Sequence, residues 1–327
     1  MSFQTQNKVE LHLHHEGAAP PDFIRALAKE KSISLEGIFD ENGAYSYKDF
    51  WDFLKVYEAA TECLKTPRDY ARLTTAVLEN CAQHGVIYAE SFISPDFCGG
   101  GDPVAWGEYL HAIQEAADKA EKDHGIVLRG IVTAVRHFGA DKAKQTSLCA
   151  AQTAGDWIVG FGMGGDEKFG TPGDFAYAFD QARESGLRLT SHAGEWSGPE
   201  EVRATIRDLK AERIGHGVRA IEDADLIREI IDRDVVLEVC PGSNYALGVY
   251  PEWSAHPIQR LRDAGVKVTV STDDPPFFHT TMTHEYEMLA KTFGWDEDVF
   301  KEVNIVAANA AFCDDETRAR ILKKLEA

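Results

Sequence analysis

Eight short apolar or β-branched stretches recur along the chain, and each is followed by a longer stretch with helical spacing of its apolar residues. This alternation is typical of βα units with a parallel sheet, and it limits the possible folds more than any other feature of the sequence. In one intervening stretch the apolar side chains share a helix face, at Leu226, Ile227, Ile230 and Ile231. The eight predicted strands are residues 8–14, 85–93, 126–135, 157–163, 187–194, 213–217, 235–240 and 267–272.

Eight strand–helix units favour a (β/α)8 TIM barrel of the α/β class. An open, doubly wound sheet is the structural alternative, but such a sheet normally carries a crevice motif such as GxGxxG at the start of a helix. The glycine-rich stretch GFGMGG, residues 160–165, has the wrong spacing for that motif. The sequence therefore predicts the closed barrel.

The sequence also predicts two helical additions to the barrel. About seventy residues separate the first predicted strand from the second, far more than one crossover helix needs. Within this extra helical insertion one apolar helix face either closes over the barrel mouth or packs on its wall; it is formed by Phe50, Phe53, Leu54 and Tyr57. Residues 280–327 are expected to form two or three closing helices. Because the sequence shows no solenoid repeat or linker, residues 1–327 are expected to be a single domain.

Charge and composition exclude several classes of protein. The 327 residues include 34 Lys and Arg against 54 Asp and Glu, a formal net charge of −20 that repels phosphate backbones and anionic lipids. The sequence has no stretch of the signal-peptide type and no apolar run near the ~20 residues that span a bilayer. Its six cysteines form no CxxC pair, so reduced, mostly buried thiols are expected. We expect a cytoplasmic protein with a small-molecule partner, not a nucleic acid or a membrane; the sequence does not predict an oligomeric state.

Histidines and carboxylates stand at the ends of four predicted strands. His12 and His14 are two residues apart on the first strand, so their side chains point to the same face. Further candidates follow the fifth, sixth and eighth strands: His192, Glu195, His216, Asp273 and Asp274. Since the carboxyl ends of the strands build the active site of a (β/α)8 enzyme, these side chains are expected to converge.

The converging residue types predict metal-dependent hydrolysis. Neutral imidazoles with one carboxylate are suitable ligands for Zn²⁺, which lowers the pKa of a bound water and makes hydroxide available near neutral pH. A two-metal site would need a bridging group such as a modified lysine at the end of the fourth strand, where Gly162, Met163 and Gly164 stand instead. One metal ion per chain is therefore favoured. The HxE and PCxxC pattern of other zinc deaminases and the HExxH pattern of zinc proteases are not found.

Five strings carry a resemblance to a known family. ELHLHHEG, SHAGE, RIGHG, CPGSN and STDDP occur in this order, and in order and spacing the chain resembles the adenosine deaminase family of metal-dependent hydrolases. The resemblance extends from about Lys8 to Phe312, and the combination of HAGE with TDDP is highly specific. It implies a (β/α)8 barrel with one zinc ion, bound by the matching residues His12, His14, His192 and Asp273.

The resemblance also implies roles for the residues around the metal. Glu195 is expected to protonate N1 of a purine, and His216 to orient the attacking water. Asp274 would bond N7, or would only orient Asp273 or His216, and the backbone N–H of Gly165 would meet N3. The chemistry agrees, because attack of hydroxide at C6 builds charge on the ring nitrogens and requires a protonated carboxyl at N1.

The sequence departs from the family pattern where the substrate would extend beyond the purine. Well-known adenosine deaminases carry Asp just after the HxH pair, where it contacts the ribose, whereas this chain has Glu16. A Glu there also occurs in relatives that act on adenine or on modified adenine nucleosides. With a nucleoside, Glu16 would accept a hydrogen bond from a ribose hydroxyl; otherwise it would be a solvated loop carboxylate or pair with an arginine. Gly242 of CPGSN is expected to leave more room than the bulkier residues common there.

The sequence thus predicts a zinc-dependent deaminase that converts adenosine, and deoxyadenosine, to the inosine form with release of ammonia. The alternative is a deaminase of free adenine or of another 6-aminopurine. An AMP deaminase is disfavoured, because the short, acidic chain shows no Arg and Lys cluster to hold a phosphate. A catalytically silent purine-binding barrel is a different class, but a pure binder needs no proton donor at N1 together with a metal-held water.

Overall fold

The computed structural model of the chain describes residues 3–326. Its strands form one parallel sheet in which each strand is hydrogen-bonded to the next along the chain, and both faces of this sheet are buried. Burial on both sides explains why the strands are continuous apolar runs in the sequence. The strands are β1 (Lys8–His14), β2 (Val86–Ile93), β3 (Val127–Val135), β4 (Ile158–Gly164), β5 (Arg188–Ala193), β6 (Arg213–His216), β7 (Val236–Val239) and β8 (Val268–Val270).

The sheet closes into a barrel between β1 and the residues that follow β8. The backbone N–H of Asp273 donates to the carbonyl of His12 at 3.1 Å, and the carbonyl of Asp273 accepts from the N–H of His14 at 3.0 Å. The predicted (β/α)8 TIM barrel is confirmed. β8 is shorter than predicted, because the N–H of Thr272 donates to the side chain of Glu10 on the neighbouring strand β1, to Oε1 at 3.0 Å, and not to a backbone carbonyl.

Helices alternate with the strands, and several start where a side chain caps the backbone. Asp102 accepts hydrogen bonds from the N–H groups of Val104 and Ala105, and Thr66 forms a reciprocal capping box with Asp69. The α-helices of residues 3–326 are α1 (Pro21–Lys31), α2 (Phe50–Thr61), α3 (Pro67–Gln83), α4 (Pro103–His124), α5 (Ala140–Thr153), α6 (Ala176–Glu184), α7 (Pro199–Ala204), α8 (Ala224–Asp232), α9 (Pro241–Ala246), α10 (Ile258–Asp263), α11 (Met282–Phe293), α12 (Glu297–Ala310) and α13 (Asp315–Glu326).

The insertion after β1 contributes α1 and α2 ahead of the crossover helix α3. The N-cap residue of α2, Asp49, accepts from the N–H of Asp52 at 2.9 Å. The apolar face of α2 lines the cavity at the carboxyl ends of the strands, through Phe50, Phe53, Leu54 and Tyr57. The helix therefore closes over the barrel mouth, the first of the two positions that the sequence allows.

Three helices, α11 to α13, end the chain, and the last residues of this segment cover the amino-terminal end of the barrel. The N–H of Val9 donates to Asn304 Oδ1 on α12 at 2.8 Å. Beyond α12, the N–H of Phe312 donates to Glu90 Oε1 at 2.5 Å, and the Arg213 guanidinium lies 3.5 Å from the centre of the Phe312 ring. The cavity beneath α2 lies at the opposite, carboxyl end of the barrel.

The six cysteines are unpaired and buried, as expected. Among the helices of residues 3–326, none combines the length and the apolar character that crossing a membrane requires.

Candidate active site

The four predicted metal ligands meet at the carboxyl end of the barrel. His12 and His14 alternate with Leu13 along β1 and point inwards, His192 lies near the end of β5, and Asp273 follows β8. Their donor atoms all lie within 4.8 Å of one another. The structure thus brings together from three strands the residues that the resemblance implies as a ligand set.

The geometry of this cluster fits a divalent metal ion. His14 Nε2 lies 3.1 Å from His192 Nε2 and 3.2 Å from Asp273 Oδ1. His12 Nε2 is buried and has no hydrogen-bond partner. The lone pairs of these nitrogen and oxygen atoms converge on one point with no hydrogen-bond donor between them, an arrangement that a cation stabilises. Three imidazoles with one carboxylate are ligands that suit zinc.

The opposite nitrogen of His12 is held by a buried charge network. His12 Nδ1 donates to Glu238 Oε2 at 2.8 Å, which leaves the Nε2 lone pair facing the cluster. Arg213 in turn donates from Nε to Glu238 Oε1 and from Nη2 to Glu90 Oε2, each at 2.6 Å. Burial would raise the pKa of Glu238, but Arg213 and His12 hold it below its ordinary value, so the carboxylate remains an acceptor.

Two site residues have an unusual backbone conformation. His216, at the end of β6, has φ of +60°, and Asp273 has φ of +68°. Non-glycine residues in this left-handed region are strained, and such strain is concentrated at functional sites. At both positions the backbone leaves the hydrogen-bonded sheet of the barrel, while the side chain of the residue still faces the candidate metal ligands.

Glu195 and His216 lie next to the four candidate ligands His12, His14, His192 and Asp273, here called the metal-ligand cluster. Glu195 Oε2 is 3.7 Å from His216 Nε2, which is 3.8 Å from Asp273 Oδ2. Burial and the charges of Asp273 and Glu167 raise the pKa of Glu195 well above its ordinary value, and burial lowers the pKa of His216 to about 3. These shifts favour the protonated carboxyl of Glu195 and the neutral imidazole of His216. A protonated Glu195 can give a proton to a ring nitrogen.

Asp274 and Gly165 line the same cavity. Asp274 Oδ1 is buried without a hydrogen-bond partner, and burial together with the charge of Asp273 raises the pKa of Asp274 well above its ordinary value. A protonated Asp274 can donate a hydrogen bond into the cavity. Gly165 has φ of +103°, and a Cβ at this position would lie 2.8 Å from His137 Nδ1. The chain therefore passes close to the cavity where a side chain would not fit.

Glu16 is neither solvated nor paired with an arginine, so both of those interpretations are wrong. It is 3% exposed and accepts hydrogen bonds from Tyr70 to Oε1 at 2.9 Å and from Tyr57 to Oε2 at 3.5 Å. Burial raises the pKa of Glu16 to about 7. Tyr70 lies on the crossover helix α3 and Tyr57 on α2 of the insertion, so both helices hold this carboxyl in the wall of the cavity.

The cavity itself is small and covered by α2. Its volume is about 90 Å³, with Phe50, Phe53 and Tyr57 on one side and the metal-ligand cluster on the other. Where aromatic side chains exclude water, the local dielectric constant is low and electrostatic interactions are stronger. Aromatic rings and the polar side chains of the site thus line one small space.

Sequence reasoning missed residues that hold the loops of the site. Glu167 accepts from the backbone N–H groups of Glu195 and Ser197 at 3.0 and 2.7 Å, which fixes the loop after β5. Ser243 donates from Oγ to Asp273 Oδ2 at 2.7 Å. Both residues lie in glycine-containing strings at strand ends, GGDE and CPGSN, and that position was the available signal.

Gly242 does not provide the extra room for substrate that its sequence context suggests. A Cβ at Gly242 would lie 2.0 Å from Glu285 Oε1. Glu285 accepts from the N–H of Gly242 at 3.0 Å and from Thr280 Oγ1 at 2.6 Å. The expectation is wrong because the space is filled by a buried carboxyl from α11, which packs against the start of α9.

Comparisons with known proteins agree with this architecture. The sequence profile described as adenosine deaminase matches residues 7–327. The chain is 45% identical to an adenine deaminase of Rhizobium rhizogenes over 97% of this chain and 98% of that protein, and 43% identical to an adenine deaminase of Agrobacterium fabrum over 97% of each. The crystal structure of an adenine deaminase from Arthrobacter aurescens matches with a TM-score of 0.89 at 28% identity, over 98% of both chains. An amidohydrolase from Burkholderia ambifaria with bound Zn matches with a TM-score of 0.88 at 26% identity, over 99% of this chain and 92% of that one.

Proposed function

The chain belongs to the adenosine deaminase family, and we propose that it hydrolyses the free base adenine to hypoxanthine and ammonia. The observation that carries this proposal is the carboxyl of Glu16, held by two tyrosines in the wall of a small, covered cavity. The 45% identical adenine deaminase supports it. Adenosine and deoxyadenosine, the substrates expected from the sequence, are less well supported.

Adenine and adenosine differ at N9, which carries a hydrogen in the base and a ribose in the nucleoside. Each oxygen of Glu16 accepts one tyrosine hydrogen bond and retains a further acceptor position. Glu16 can therefore accept the N–H of the five-membered ring of adenine. The cavity beneath α2 has a volume of only about 90 Å³, and this small size supports a base more than the larger nucleoside.

The metal would be held by His12, His14, His192 and Asp273, and we propose one zinc ion per chain. When bound, zinc acidifies water and so makes a hydroxide nucleophile available near neutral pH. The zinc-containing amidohydrolase of similar fold supports this choice of metal.

The side chains around the cavity supply the proton chemistry. Protonated Glu195 donates to N1 as C6 is attacked, which neutralises the charge that develops on the ring. Protonated Asp274 donates to N7, and the N–H of Gly165 to N3. His216 orients the attacking water, and α2 excludes bulk water from the reaction. The water gives one proton to the 6-amino group, which leaves as ammonia, and the other restores the carboxyl of Glu195. The water oxygen remains on C6.

The test is parallel kinetics of the zinc-loaded protein on adenine, adenosine and deoxyadenosine, followed by ultraviolet absorbance and by ammonia release. We expect kcat/KM for adenine to exceed that for adenosine by at least about 100-fold, as for a site that bonds a group the competitor lacks. The Glu195→Gln variant gives the background rate in the absence of the proposed acid. Faster turnover of adenosine would overturn the choice of substrate, and turnover of none of the three would overturn the enzyme assignment.

A further inference from the structure

A chain of hydrogen bonds runs from the backbone at α10 to the two side chains that flank the metal-ligand cluster. The N–H of Ile258 lies 3.2 Å from His256 Nδ1, and His256 Nε2 lies 3.1 Å from Asn244 Oδ1. Asn244 Nδ2 then lies 3.3 Å from His216 Nδ1 and 3.2 Å from Glu195 Oε1. Every side chain in this series is buried, so bulk water does not replace any of its members.

The first member determines the direction of every later bond. A backbone N–H is always a donor, so His256 Nδ1 accepts and the neutral ring carries its proton on Nε2. This proton is donated to Asn244 Oδ1, which turns both amide hydrogens towards His216 and Glu195. Burial lowers the pKa of His256 to about 3, so the ring stays neutral and the order of the bonds is retained.

We propose that Asn244 and His256 are positioning residues that select the tautomer of His216 and the proton-bearing oxygen of Glu195. Because Asn244 donates to Nδ1, His216 carries its proton on Nε2, the nitrogen that faces Glu195 Oε2 and Asp273 Oδ2. His216 thus presents a hydrogen-bond donor, not a lone pair, to the reacting water. The same amide occupies Glu195 Oε1, which leaves the proton on Oε2.

The expected effect of Asn244 and His256 on the reaction rate rests on the proposed deamination, but the tautomer of His216 does not. Asn244→Asp is nearly isosteric and replaces the Nδ2 donor with an acceptor oxygen. His216 must then turn its proton to Nδ1, and Glu195 loses a donor and faces a carboxylate. His256→Gln retains an N–H donor for Asn244, whereas His256→Leu removes it, so this pair separates the hydrogen bond from packing.

The experiment is ¹⁵N NMR of the histidine rings in the zinc-loaded protein, with the His216 signals identified by their loss in His216→Asn. In the wild type we expect a protonated Nε2 and an unprotonated Nδ1, and in Asn244→Asp the reverse. With adenine, kcat should fall roughly 10- to 100-fold in Asn244→Asp and His256→Leu, the usual range for residues that orient a site, while KM changes less. His256→Gln should recover most of the rate.

A protonated Nδ1 on His216 in the wild type, or an unchanged ¹⁵N pattern in Asn244→Asp, would overturn the proposal. Zinc content and the melting temperature identify variants that fold. If Asn244→Asp does not fold, His256→Leu and His256→Gln provide the test. Equal His216 signals and equal kcat in these two variants would also overturn the proposal. Since NMR needs no substrate, a wild type that does not deaminate adenine refutes the proposed function and leaves the tautomer test intact.

Discussion

A methyl group on Gly17 would lie 1.5 Å from Oδ1 of Asp274, so the two residues coexist only because position 17 has no side chain. The backbone of the loop after β1 thereby packs directly against the carboxyl of Asp274. This contact keeps that carboxyl at the cavity wall, next to Asp273 and close to Glu16. The glycine in the string HHEG thus shapes the candidate site through Asp274, although it has no reactive group of its own.

Gly17→Ala is expected to displace Asp274 and to lower kcat/KM for adenine by roughly 10- to 100-fold, the equivalent of the ~1.5–3 kcal/mol of a charge-assisted hydrogen bond. Zinc content should not change. The matched control is Gly107→Ala, since a Cβ at Gly107 meets open space. Wild-type kinetics of the Gly17 variant would contradict a role of Asp274 in binding.

The metal prediction concerns the convergence of three histidines and Asp273. Elemental analysis should find close to one zinc ion per chain, and His192→Ala should lose both metal and turnover, because three remaining donors bind the ion less tightly. His111→Ala, at a side chain that is 73% exposed, is the control and should keep both. Full activity of a metal-free preparation would exclude the mechanism.

The acid prediction concerns Glu195. Glu195→Gln should keep zinc and bind adenine, while kcat falls by at least ~100-fold, the low end for a proton-transfer group. Since only the protonated carboxyl can act as the acid and burial raises its pKa, the wild-type rate should fall as pH rises through that raised pKa. The residual rate of the variant should lack this alkaline fall. An unchanged kcat would assign protonation of N1 to another group.

The substrate prediction concerns Glu16. Glu16→Ala should cost about 1.5–3 kcal/mol in kcat/KM for adenine, because the ring N–H loses its acceptor. The same change should not lower the slow turnover of adenosine, which has no N–H at N9. Glu41→Ala, at an exposed carboxylate of the same insertion, serves as the control. A loss confined to adenosine would instead assign Glu16 to the ribose.

The stability prediction concerns Glu285, which fills the space beside Gly242. Burial raises the pKa of Glu285 from 4.5 to about 8, so between these values the carboxyl is neutral in the folded chain and ionised in the unfolded chain. Its stabilising contribution is complete below pH 4.5 and is lost as pH rises to about 8, with a slope of up to ~1.4 kcal/mol per pH unit.

Glu285→Gln removes this titration and retains an acceptor for the N–H of Gly242. Urea unfolding at a series of pH values should therefore show a shallower decline of the free energy of unfolding in the variant than in the wild type. Parallel pH profiles for the two proteins would show that Glu285 ionises in the folded state without cost.

The sequence alone determined the barrel and the composition of its metal-ligand cluster. Strand and helix periodicities are local properties, and eight such units leave few folds open. Because a parallel barrel places every strand's carboxyl end at one face, His12 and Asp273 can be placed together without knowledge of any contact between them. The register of an apolar face likewise predicted α2, through Phe50 and Tyr57.

Only the tertiary structure decided how those groups are held. Nothing local to Asn244 pairs it with His256 and His216, nothing near Gly242 indicates that Glu285 fills its space, and Glu16 owes its burial to tyrosines on two later helices. These contacts join residues far apart in the chain. Their distances depend on how helices pack around the barrel, and sequence periodicity carries no information about such packing.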